Sequence, residues 1–434
     1  MNIRLYNAKI LTMEKHKDVF EGEIWIKNEK IAYLGETKKL QAQITGDFPT
    51  IHWDLELDCG GNLLMPGFKN AHTHSAMTFL RSYADDLPLA EWLNEKVFPL
   101  EAKLTYEDIY QLTKLAILEY LSSGITSIFD MYLIPDAVAE ACSNLGMRCV
   151  LTSGLNRMNS SIEQQEQEYL KWNKKSNPLI SYLLGFHAEY TCSQEQIYRI
   201  SQLARKYRAP VYMHMAETRQ EVEDCKKRTG LTPARYLGTM GIFEYGGGAF
   251  HCVHMTPEDC EVFRRRRLHV ITNPSSNLKL ASGIAPIAEF EKYKIPVAIG
   301  TDGPGSNNCL DMFREMFLVA GLSKVVSQDA SAVGAERVLR MATVHGAKAM
   351  HLFRADVLAK GKLADLILID LHQPNMQPSD NIISNLVYSA NKSNVLMTMI
   401  NGRILYRNGE YFVGESPTDI IDTCNQIIQK LHQA

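Results

Sequence analysis

The chain has 434 residues, 45% of them hydrophobic and 22% charged, with a formal net charge of -3 at pH 7. It has material for one large domain or two, and its composition is that of an ordinary soluble globular protein. No basic stripe invites nucleic acid, no apolar run is long enough for a membrane span, and the start MNIRLYNAKIL lacks a signal peptide's apolar stretch.

In chain order, residues 1–64 fall into short alternating pieces, NIRLYNAKILTM, EIWIKNEKIAYLG and TIHWDLELDCGG, which predict strands of a small β unit. Residues 65–355 change rhythm, with short apolar runs alternating with amphipathic helical stretches. Eight such runs occur: LLMPGFKNAH, GITSIFDMY, RCVLTSGL, ISYLLGFHAEY, APVYMHMAE, GAFHCVHM, LHVITNPSS and IPVAIGTDG. Helices between them include TYEDIYQLTKLAILEYLSSG and SQEQIYRISQLARKY, where Thr105 and Ser193 are expected N-caps. In TPEDCEVFRRRRL the arginines at 264–267 predict a solvated helix end. Residues 356–434 return to strands in ADLILIDL and NVLMTMINGRILYRNGEYFV, followed by a terminal helix. The fold expected is α/β, a TIM (β/α)8 barrel over 65–355 with a small β-sandwich built from both termini. A doubly wound sheet is the alternative, but no GxGxxG follows the first run. The nine cysteines lack CxxC spacing, as expected for reduced thiols in a cytoplasmic protein.

In a barrel, reactive groups gather where strands end. The first run ends in His72 and His74, whose i, i+2 spacing points both rings the same way. The fourth ends in His187 and Glu189, the fifth in His214 with Glu217 beyond, and the sixth in His251 and His254. Asn273, Ser275, Ser276 and Asn277 follow the seventh, and Asp302 ends the eighth. Singly, each histidine is more simply a hydrogen-bonded strand end, and Asp302 a helix cap or turn former. Together they crowd one rim with imidazoles and carboxylates. Three imidazoles and one carboxylate, His72, His74, His214 and Asp302, suit one divalent first-row ion: zinc first, iron(II) or manganese(II) as alternatives. No thiol is placed to close the shell, and an open site favours catalysis through an activated water.

The ordered segments PGFKNAHTHSAM, VYMHMAET, HCVH, NPSSNLKLASGIAPI and GTDGPGSNNCLDMF resemble the amidohydrolase superfamily over almost the whole chain. Within it they resemble the 5'-methylthioadenosine/S-adenosylhomocysteine deaminases. The resemblance implies a mononuclear site with the four ligands above, since the fourth run, LLGFHAEY, offers no lysine for a second metal. It implies that Glu101 of PLEAKL holds ribose hydroxyls and that Arg157 of GLNRMNS and His187 touch substrate. It also implies a small-molecule nucleoside substrate and association into a homo-oligomer. On chemical grounds Asp302 takes a proton from the attacking water, His251 orients that water, and Glu217 protonates N1 of the adenine ring. Return of the proton to the exocyclic amine then lets ammonia leave, giving the inosine analogue. The loop after Asp302 departs from the family pattern at Pro304 and Gly305. Rival expectations are a guanine or oxidised-purine deaminase, a triazine chlorohydrolase, or a non-enzymatic scaffold; the scaffold is disfavoured because every ligand and acid–base candidate is present.

Overall fold

The computed structural model describes residues 1–36, 52–83, 85–157, 161–174 and 177–433. Eight barrel strands follow one another: Phe68–Thr73, Ile125–Tyr132, Arg148–Ser153, a fourth broken into Ile180–Tyr182 and Leu184–Ala188, then Val211–Met215, Gly247–His251, His269–Thr272 and Val297–Ile299. Neighbours pair in parallel. Both faces of each strand are covered, which is why the runs read as nearly continuous apolar stretches rather than alternating ones. The break at Leu183 lets the fourth strand pair with the third on one side and the fifth on the other. The last strand closes on the first: the Asp302 N–H donates to His72 O at 3.0 Å, and the Asn70 side chain bonds Thr301 at both its backbone N–H and its hydroxyl. Phe129, Tyr212, Phe250 and Ile271 fill the interior.

The run LLMPGFKNAH proves to be two strands in two sheets. Leu63–Pro66 pairs antiparallel with Leu366–Ile369, and the barrel begins only at Phe68. Gly67 stands at the crossing because a Cβ there would strike the Thr126 side chain at 2.1 Å. Both chain ends build one nine-stranded sheet. Its order is Glu410–Tyr411, Arg403–Arg407, Val395–Ile400, Leu366–Ile369, Leu63–Pro66, Asn2–Ile10, Phe20–Lys27 and Lys30–Glu36, with Leu55–Asp58 beside Asn2–Ile10. Thr50 and Ile51 of the third predicted piece lie outside the described residues. Leu5, Ile24, Ile26, Leu366 and Met397 give this sheet a core of its own. The terminal helix, Pro417–Gln433, lies along the barrel helix Tyr106–Ser122, where Lys114 meets Glu415 at 2.5 Å.

Local chemistry follows the sequence closely. Thr105 and Ser193 each form reciprocal capping boxes, with Asp108 and Gln196. The helix Pro257–Arg266 ends in exposed arginines, two of them paired with Glu261. All nine cysteines are free, and only Cys309 is not fully buried. No helix among the described residues is long and apolar enough to cross a membrane. At the end of the barrel where the strands begin, Arg148 forks onto Asp365 at 2.5 and 3.0 Å, both nearly inaccessible. Burial pulls the Lys69 amine beside them down to about 8. This ionic cluster joins the barrel to the terminal sheet, and the opposite end is left for the site.

Candidate metal centre and its acid–base groups

Two ring nitrogens can be read without seeing a hydrogen. His74 Nδ1 lies 2.5 Å from Met131 O and His214 Nδ1 lies 2.8 Å from His187 O. A carbonyl only accepts, so both Nδ1 atoms carry protons, and in the neutral ring the lone pair is at Nε2. Those lone pairs converge. His214 Nε2 is 3.2 Å from His72 Nε2, and Asp302 Oδ1 is 3.4 Å from His72 Nε2 and 3.3 Å from His74 Nε2. Among the described residues buried His72 Nδ1 has no hydrogen-bond partner, and the ring's polar neighbours are at Nε2. Three ring nitrogens and a carboxylate oxygen face one buried space, where neutral rings would offer their lone pairs to a single cation. The donor set therefore fits a divalent metal, and the four side chains could hold it; His251 also lies within reach of His72 and Asp302.

The electrostatics point the same way. Burial pulls His72 down to about 3 and drives His214 well below the usual imidazole range. His74 goes the other way, up to about 9, because Asp302 overcomes the cost of burial. Asp302 itself is held well below the ordinary carboxylate range: burial raises it, but His72 and His74 outweigh that. The carboxylate is thus anionic and draws positive charge toward it. Its second oxygen is occupied. Oδ2 accepts from the Ser276 hydroxyl at 2.6 Å and the Ser306 hydroxyl at 2.8 Å, which leaves Oδ1 turned to the imidazoles.

Glu217 and His251 stand beside this cluster, 3.8 Å apart between Oε2 and Nε2. Burial raises the Glu217 carboxyl; His251 opposes this in part and Asp302 adds to it. His251 Nδ1 faces Asn277 Oδ1 at 2.8 Å, and Ser282 donates to Glu217 Oε1 at 3.0 Å. Four residues of the rim, Ala216, His251, Cys252 and Asp302, sit at positive φ. Such strained backbone persists only where its surroundings hold it. For Ala216 the holder is Glu221, whose carboxylate accepts the N–H groups of Ala216 and Glu217 at 2.7 and 2.8 Å.

The remaining sequence candidates fall at different distances from this centre. His187 stacks obliquely on His214, ring centroids 4.8 Å apart, and its Nδ1 meets Thr191. Glu101 stands beside Tyr132 and feels the charge of His74; burial pushes its carboxyl up to about 7. Arg157 is exposed, and its guanidinium donates to Cys192 O at 3.2 Å; among the described residues no hydrogen bond or ion pair joins it to the histidines. His254 lies one step out, donating to Ser282 O at 2.7 Å. Pro304 opens the short helix Pro304–Asn307 at its first turn, where a missing N–H costs nothing, and that turn delivers Ser306 to Asp302. Gly305 is needed for close approach: a Cβ would lie 3.0 Å from Leu80 and 3.2 Å from Trp92. Glu221, Tyr132, Ser282 and Ser306 were not singled out from sequence. The usable signal was the density of small polar residues in NPSSNLKLAS and DGPGSNN, unusual at the ends of buried strands.

A family model described as the amidohydrolase family matches residues 63–405. The chain is 38% identical over 419 residues to a 5-methylthioadenosine/S-adenosylhomocysteine deaminase of Caldanaerobacter subterraneus subsp. tengcongensis, covering 94% of each chain. It is 41% identical over 417 residues to the protein of the same name from Syntrophomonas wolfei subsp. wolfei, covering 94% of this chain and 95% of the other. Among solved structures, an adenosine deaminase of Xanthomonas campestris with bound zinc superposes with a TM-score of 0.92 at 31% identity, covering 100% of this chain and 98% of that one.

Proposed function

The chain belongs to the amidohydrolase family, and within it we propose that it is a metal-dependent deaminase of adenosine-type nucleosides. It hydrolyses the 6-amino group of 5'-methylthioadenosine or S-adenosylhomocysteine to the inosine analogue and ammonia. One observation carries this reading: Nε2 atoms of His72, His74 and His214 and Oδ1 of Asp302 converge, with measured contacts of 3.2 to 3.4 Å, beside a raised buried carboxyl. The relatives' names agree with that chemistry.

His72, His74, His214 and Asp302 would hold one divalent ion, zinc being the proposed metal, as in the Xanthomonas structure. When bound, such an ion supplies Lewis-acid activation of water near neutral pH. The chain's own groups do the rest. Asp302 Oδ1, with Oδ2 occupied by two serines, takes the proton of the attacking water and returns it to the exocyclic amine, which leaves as ammonia. His251 presents Nε2 to orient that water, because Nδ1 is committed to Asn277. Glu217, whose carboxyl burial raises above the ordinary carboxylate range, donates to ring nitrogen N1 so that C6 accepts electrons. Glu101 accepts from the ribose hydroxyls, and His187 and Arg157 make further substrate contacts. A cytoplasmic location and a homo-oligomeric state belong to the same proposal.

Ammonia release from methylthioadenosine, S-adenosylhomocysteine, adenosine, guanine and a chlorotriazine tests it. Turnover of the 6-aminopurine nucleosides at least 10²-fold above the other two is expected; preference for guanine or the triazine overturns the reading.

A further inference from the structure

Three of the groups that act in the proposed reaction, Asp302, His251 and Glu217, come from three different barrel strands, yet a single stretch of chain touches all of them. Ser276 donates to Asp302 Oδ2 at 2.6 Å, Asn277 Oδ1 accepts from His251 Nδ1 at 2.8 Å, and Ser282 donates to Glu217 Oε1 at 3.0 Å. We infer that the segment 276–282, after the seventh barrel strand, is a positioning element that sets the inward-facing atom of each of these groups, and that Asn277 selects the tautomer of His251. The inference rests on the reaction proposed above and goes beyond it by assigning this segment's work.

The chemistry of each bond is selective. Asn277 offers His251 an oxygen, so the ring proton sits on Nδ1 and Nε2 is the nitrogen left basic, facing Glu217. Ser282 takes one oxygen of Glu217, leaving Oε2 as the donor site. Ser276, with Ser306, takes Oδ2 of Asp302 and leaves Oδ1 for metal and water. In each case one of two equivalent atoms is withdrawn and the other is aimed inward.

The segment is stiff enough for this task. Its first turn is the helix Pro274–Lys279, and the chain then folds back so that the Ser282 N–H donates to Asn277 O at 2.8 Å, tying the partner of Glu217 to the partner of His251. His254 holds Ser282 O from the other side at 2.7 Å. Lys279 anchors the outer edge to Asp85, Asn308 and Gly305 O. Ser276, Asn277 and Ser282 are all buried, so water does not compete for these bonds.

The test compares Asn277→Ala, Asn277→Asp and Ser282→Ala with the parent holoenzyme, using metal content, kcat and KM for methylthioadenosine. A long-range 1H–15N spectrum of histidine-labelled protein is added, the His251 signals being those lost in His251→Asn. Asn277→Ala should keep one equivalent of metal and a KM within about threefold, while kcat falls about 100-fold and the His251 signals leave the Nδ1–H pattern. Asn277→Asp keeps an acceptor and should restore that pattern and at least 10-fold of the lost kcat. Ser282→Ala, which should lower kcat about 10-fold with unchanged metal, gives a second reading if the Asn277 variants do not fold. Parent-like kcat in Asn277→Ala, an unmoved spectrum, or a loss equal in the Ala and Asp variants overturns the inference. A parent that releases no ammonia removes the proposed reaction, and the spectrum then decides the tautomer assignment on its own.

Discussion

His214 and His187 are joined by a bond that does more than pack two strand ends: His214 Nδ1 donates to the His187 carbonyl at 2.8 Å. That proton leaves Nε2 basic, 3.2 Å from Nε2 of His72. Two ring nitrogens so placed, with Asp302 Oδ1 beside them, suit a shared cation. His214→Ala should therefore lower metal retention after dialysis to below about a tenth of an equivalent and reduce kcat by at least ~10³-fold. Elemental analysis decides it, and a full equivalent of bound metal in the variant would remove His214 from the ligand set.

The same reasoning gives a stability prediction. An ion that binds only the folded chain stabilises it by RT ln(1 + [L]/Kd), about 2.7 kcal/mol at a hundredfold excess over Kd. Chelator-treated protein should unfold at lower urea than protein resupplied with zinc. Coincident curves would mean that the converging donors hold nothing.

Glu217→Gln preserves shape and the Ser282 contact but removes the proton that N1 needs. Metal content should be unchanged and kcat should fall by about 10² to 10⁴. Near-parental turnover would take Glu217 out of the proton path.

Gly300 lies against the first ligand. A Cβ there would stand 2.7 Å from His72 Cβ, 2.8 Å from His72 N and 2.5 Å from Asn273 Oδ1. Gly300→Ala must push the first and eighth strands apart at the point where the ligands meet, so metal affinity should drop at least about 10-fold although no ligand is touched. Unchanged metal affinity and activity would show that the strands give way elsewhere.

Stability should fall in acid for a reason remote from the metal. Burial pulls His269 and His345 down to about 4, below the value of about 6.5 they regain when unfolded. The unfolded chain therefore binds more protons between pH 6.5 and 4. The stability these neutral rings allow is complete above about pH 6.5 and is lost as pH falls toward 4, up to ~3 kcal/mol for each ring. Urea midpoints measured at pH 7.5, 6 and 5 should decline less steeply in His345→Gln than in the parent. Parallel slopes would place the acid sensitivity elsewhere.

Much of this protein was legible from its sequence because the signals are local. Eight apolar runs separated by capped helices announce a barrel, since a parallel strand buried on both faces cannot alternate and a helix needs a cap for its first N–H groups. The rim positions followed from knowing where strands end, and the closed barrel brings His72, His74, His214, Glu217, His251 and Asp302 close together there. Tertiary structure alone decided the rest. Whether Met65 belonged to the barrel or to the terminal sheet depended on Leu366–Ile369, three hundred residues away, arriving as its hydrogen-bonding partner. Which nitrogen of each histidine faces inward was set by carbonyls of Met131 and His187, and no side-chain pattern records a carbonyl's direction. The roles of Ser276, Asn277, Ser282 and Glu221 stayed hidden for the same reason. A small polar residue means turn, cap or clamp depending on what stands within 3 Å of it, and only the closed barrel brings those neighbours together.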